Sequence, residues 1–172
     1  MFIAAPDFPC VGAKSALNKD RIRFGHHTAH ADSASAFALS ADLRHFSEAF
    51  VDPGNLPVSF IATFEASEST EKDFETRVWR HLQLMHDCDN RNYEWDPSVS
   101  QDPAHADFSF SIAGRAFLWW DYTLQLREWR GEHQCLVLYS IFMINSKRSK
   151  HPVNTRACNL RFAPGTPHCK AL

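Results

Sequence analysis

Hydrophobic and polar positions alternate in two distinct periods along the first two thirds of the chain. Leu39, Leu43, Phe46 and Phe50 recur at helical spacing, and Asp32 or Ser33 stands where an N-terminal cap is needed. "VDPGNLP" then interrupts with two prolines and a glycine. Val58, Phe60, Ala62 and Phe64 alternate with period two, the signature of a strand. Thr70 and Asp73 have the spacing of a capping box, and Phe74, Val78, Leu82 and Met85 form a second helical stripe. "FSFSIAGRAF", from Phe108 to Phe117, alternates again and is read as a second strand. Nearer the start, "VGAKSALN" predicts a short helix and "RIRFG" a short strand. The expected fold is α+β and a single domain. Its mixed sheet includes 58–64 and 108–117, and helices near 33–50 and 71–87 pack on it.

After Leu118 these signals disagree. "CLVLYSIFMI" predicts a buried strand, and on hydrophobicity alone it would join the sheet. The last residues, from about Ser146, carry many charges and no stripe, which predicts an irregular, exposed segment. Composition divides at the same place. Through Phe117 there are 10 Lys and Arg against 17 Asp and Glu, and from Leu118 there are 8 against 3. Three of the five cysteines and three of the five tryptophans lie in this later part. The fold is therefore expected to have an incomplete or non-native C-terminal part.

The 172 residues suit one domain with a sizeable core. A net charge of -2 gives no reason to expect nucleic acid or an anionic membrane as partner. No apolar run approaches a membrane span and "MFIAAPDF" lacks the design of a signal peptide, so the expected location is cytoplasmic. Five cysteines without paired spacing fit reduced thiols.

Candidate chemistry is sparse. Cys10 precedes a short helix whose dipole would favour a thiolate, with Lys14 one turn on; a buried structural thiol is the stronger reading. His26, His27 and His30 cluster without the fuller pattern of a metal site. His86 follows Leu82 by four residues, so it lies near the buried stripe, as a ligand or as a structural histidine. The polar stretch "HDCDNRNYEWDPSVSQDPAHAD" is long for a loop within a compact domain, which marks it as a functional candidate.

Three segments in order, "FPCVGAKSALN", "EKDFETRVWRHLQLMHDCDNRNYEWDPSVSQDP" and "FSFSIAGRAF", resemble the YqcI/YcgG family over about residues 6–117. That family includes a haem-dependent N-hydroxylase of guanitoxin biosynthesis. The resemblance implies haem as cofactor, and a small guanidine-bearing molecule and O2 as substrates. It also implies carboxylates that grip a guanidinium, for which Asp87, Asp89 and Asp96 are the candidates, with Glu94 and Asp102 in the same segment. Family histidines stand in "LHxxD", "GLHP" and "FNPH". Only the first is kept here, as His86, which makes His86 the candidate for cofactor and iron binding.

Family members continue after "GRAF" with roughly "FVVGLHP", an Arg-rich stretch and "FNPHxQFExLR". Back-translation of Leu118 to Gln125, read from the third base of the Leu118 codon, permits Val-Val-Gly-Leu-His-Pro-Ala. The same frame over "YSIFMINSK" permits Phe-Asn-Leu-His-Asp-Gln-Phe-Glu. Both missing segments return in one alternative frame and in the right order. The expected organisation is therefore a family-like part at 1–117 and a frame-shifted tail at 118–172. Three functions stand as expectations: a haem-dependent N-hydroxylase, impaired here; a non-catalytic truncated or pseudogene product; and, more weakly, a Cys10-based enzyme.

Overall fold

The computed structural model describes residues 2–4, 10–27, 31–66, 71–125 and 135–143. After a single 3-10 turn, Phe2–Ala4, come helix α1 (Val11–Asn18), strand β1 (Ile22–His27) and helix α2 (Ser33–Ala49). Strand β2 (Ser59–Ala66), helix α3 (Glu71–Asp89) and strands β3 (Phe110–Ile112), β4 (Arg115–Gln125) and β5 (Cys135–Met143) follow. The sheet order is β1-β2-β5-β4-β3. β1 and β2 are parallel, with Phe24 opposite Ile61, and all other pairs are antiparallel. The architecture is α+β with a mixed sheet.

β2 is buried on both faces, so its side chains feed two cores. Phe60, Ala62 and Phe64 join the larger one, with Leu39, Leu43 and Phe46 of α2 and Phe74, Leu82 and Met85 of α3. Ile61 points the other way, into a small cluster with Ile3, Cys10, Ala13, Ala16 and Ile22. The stripes at helical and strand period are thus the surfaces that meet. Asp32, not Ser33, caps α2: its carboxylate accepts the amides of Ala34 and Ser35 at 3.0 and 3.1 Å. Thr70, the other expected cap, lies outside the described residues.

One expected strand is two. Residues 108–117 form a hairpin, β3 and β4, in which Phe110 pairs with Phe117. The chain reverses at Ala113 and Gly114, both at positive φ (52° and 69°). Two left-handed residues in succession match the twist of a tight hairpin, so "AG" is a turn inside what reads as one alternating run.

The boundary expected at Leu118 falls inside β4, which runs without interruption to Gln125. Trp119, one residue beyond it, is buried in the larger core and meets Phe110 edge to face at 5.7 Å. β5, the "CLVLYSIFM" segment, takes a central position between β2 and β4. As a structural unit the sheet therefore spans that position. The segment expected to be irregular after about Ser146 lies outside the described residues.

Candidate functional site

The end of α3, the loop that follows it and the β3–β4 hairpin enclose an open cleft of about 550 Å³. His86 and Asp89 reach it from the last turns of α3. Tyr93, Glu94, Trp95 and Asp96 reach it from the loop, and Ser111 from β3. The loop is held by its own polar groups. Asp96 is almost fully buried; its Oδ1 accepts the amide and hydroxyl of Ser98 at 2.9 and 2.7 Å, and its Oδ2 accepts the Ala116 amide at 3.0 Å. The Asp96 amide donates to Ser111 Oγ at 3.0 Å. The Trp95 ring meets Phe110 edge-on at 5.7 Å and fixes the loop against β3.

Asp89 is the site's unusual group. It is buried, and its Oδ2 accepts the Ala113 amide at 2.9 Å. Its Oδ1 is also buried and has no hydrogen-bond partner among the described residues. Burial pushes the Asp89 carboxyl above its ordinary value, while the Ala113 amide and then the charges of Arg44 and His86 act in the opposite direction. A buried carboxylate oxygen without a partner, beside a cleft, marks a candidate binding position. The indole Nε1 of Trp95 is a second buried group without a partner among the described residues.

The other candidates separate clearly. His86 is half-buried and lines the cleft; its ring meets Trp95 edge to face at 5.7 Å, and its Nε2 lies 3.4 Å from Asn90 Nδ2. Asp87 is exposed, lies outside the cleft lining and accepts a hydrogen bond from Gln83 at 2.8 Å. Asp102 accepts the Ala104 amide within its own exposed turn. Glu94 is exposed and stands in the cleft. Cys10 is buried in the smaller core, which fits a structural thiol. His26 and His27 project from opposite faces of β1. His26 bonds Thr63 Oγ1 at 3.0 Å, whereas His27 is buried, stacks on Phe64 and lies 3.6 Å from Asp42. His30 lies outside the described residues. Among the described residues no three His, Cys, Asp or Glu side chains gather as a metal site.

The haem implied by the resemblance can be tested against this lining. A haem needs an axial ligand and a largely apolar pocket. The cleft offers one imidazole, His86, but the carboxylates of Asp89 and Glu94 also line it. These residues do not fit haem. They fit a cation: two carboxylates not fully engaged, Asp89 and Glu94, beside the rings of Tyr93 and Trp95. Sequence patterns alone did not single out Tyr93, Trp95 or Ser111. The visible signal was "NYEWDP", aromatic and acidic residues in succession ahead of a proline.

Compared with known families, the chain matches the YqcI/YcgG family over residues 1–123. No curated protein and no solved structure matches it. No helix among the described residues is long and apolar enough to cross a membrane.

Proposed function

The chain belongs to the YqcI/YcgG family, and from that premise we propose that it retains a guanidinium-recognition cleft while its oxygen chemistry is impaired. The family reading is haem-dependent, O2-using N-hydroxylation of a guanidine on an arginine-like small molecule. The observation that carries the recognition half is Asp89, whose buried Oδ1 has no partner while its Oδ2 is fixed by the Ala113 amide. A planar guanidinium presents several N–H donors in a fixed fork, so it can satisfy such an oxygen and bridge to Glu94. The rings of Tyr93 and Trp95 would cover its face.

The impairment follows from what the later sequence lacks. The family's other two histidine segments are not encoded in this frame. The family match stops at residue 123, close to Leu118, where charge balance also reverses. These facts support the reading that residues from about 118 derive from a shifted frame, and that the chain is a truncated, non-catalytic relative. Such a tail still supplies most of β4 and all of β5 because strand pairing asks mainly for extended apolar sequence.

The test compares two proteins, the chain as it stands and a frame-restored version. Each is reconstituted with hemin and supplied with O2, a reductant and L-arginine, and N-hydroxylated product is measured by mass spectrometry. Product from the restored protein alone is the expected result. Equal product from both would overturn the impairment. A nucleotide sequence that cannot encode the shifted segments would overturn the frame argument.

A further inference from the structure

Arg44 lies on α2, outside the segments that suggested any chemistry. Its guanidinium carbon stands 5.5 Å over the ring of Tyr93, a residue of the cleft. Tyr93 is tied to Asp89 through the backbone, its amide donating to the Asp89 carbonyl at 3.1 Å. Arg44 forms no ion pair with Asp89 among the described residues: Asp89 Oδ1 is buried and unpartnered, and so is Arg44 Nε. A fixed cation thus sits on one face of an aromatic ring in the cleft, near a carboxylate that it does not neutralise by contact.

We infer that Arg44 is a specificity-setting residue of this cleft, a resident guanidinium stacked on Tyr93 whose charge an incoming cation meets on its way to Asp89. The inference rests on the cleft taking a cation, and it adds a competitor built into the chain. The positive charge of Arg44 has two consequences. It repels a cationic ligand, and it favours the ionised form of Asp89 against the burial that opposes it. The repulsion selects for ligands that bring more than bare charge. A guanidinium offsets the repulsion with planar stacking and forked donors of its own. A compact ammonium gains less, because it cannot reproduce the stack.

The experiment uses the full chain, with methylguanidinium and methylammonium as probes. Binding is followed calorimetrically, and the Asp89 carboxyl carbon is followed by NMR as pH is varied without ligand. In Arg44→Met the Asp89 midpoint should move upward. Above that midpoint methylguanidinium should bind roughly threefold tighter, the scale of a solvent-screened charge pair. Methylammonium should gain by a larger factor, so discrimination between the probes narrows. Arg44→Lys should return the midpoint toward that of the parent. A merely structural role for Arg44 would weaken binding of both probes and leave the midpoint in place, which would overturn the inference. If the midpoint moves but neither protein binds methylguanidinium, the cation-binding reading of the cleft fails and the hold of Arg44 on Asp89 stands. If both proteins bind methylguanidinium equally and the midpoint is unchanged, the cleft reading stands and the role of Arg44 fails.

Discussion

The carboxylate of Asp89 accepts the amide of Ala113 at 2.9 Å, which ties the last turn of α3 to the turn of the β3–β4 hairpin. Both ends of this contact are conformationally specified. Ala113 is held at positive φ by the hairpin, and Asp89 is the final residue of a 19-residue helix. One oxygen is thereby used for structure and the other is left buried without a partner.

This division predicts a trade between stability and binding. Burial raises the Asp89 carboxyl above its ordinary value in the folded protein. A raised acid contributes stability that is fully present below its unfolded value, and it is lost as pH rises through the folded value. Asp89→Asn removes the ionisable group and retains an oxygen for the Ala113 amide. It should therefore melt at a higher temperature than the parent at pH 7, by a few degrees at most. The difference should shrink as pH is lowered toward 4. Melting curves at a series of pH values check this.

Asp96 serves structure with both of its oxygens. Its carboxylate is engaged by Ser98 and by the buried Ala116 amide. Asp96→Ala leaves those donors stranded and should cost about 2–4 kcal/mol in a denaturant titration. Ser98→Ala, which removes one exposed hydroxyl from the set, should cost about 1 kcal/mol or less.

Gly25 marks a close approach in β1. An added Cβ would meet Phe60 Cζ at 2.9 Å, Asp42 Oδ2 at 3.0 Å and His27 Nε2 at 3.1 Å. Gly25→Ala should destabilise by about 1–3 kcal/mol through overpacking, read by the same titration.

Much of the fold was legible because the packing surfaces are periodic in sequence. The stripe of Leu39, Leu43 and Phe46 and the alternation of Phe60, Ala62 and Phe64 are the surfaces that form the core. The hairpin was not legible, because Phe108 to Phe117 alternates across a turn that only the left-handed pair Ala113–Gly114 reveals. The cleft was partly legible. The long polar stretch marked its place and Asp89 was among its candidates, yet nothing in sequence separates Asp89 from Asp87 two residues earlier. They differ in helix face: one is buried against the hairpin and the other is exposed and paired with Gln83. Arg44 was invisible because it comes from a different helix. The central place of β5 follows from apolar content, whatever frame encoded it.

The absence of the two later histidine segments predicts that hemin finds no specific seat on this chain. Hemin added to the purified protein should give the same visible spectrum with the parent and with His86→Ala. A Soret band at one haem per chain that disappears in His86→Ala would restore His86 as an iron ligand.

The central claim is that this cleft binds a guanidinium through Asp89, and its most direct test is calorimetric titration of methylguanidinium at pH 8. The account predicts saturable binding to the parent and at least about tenfold weaker binding to Asp89→Asn, since a charge-assisted bond is exchanged for a neutral one. Equal affinity of the parent and Asp89→Asn, with both folded, would contradict it.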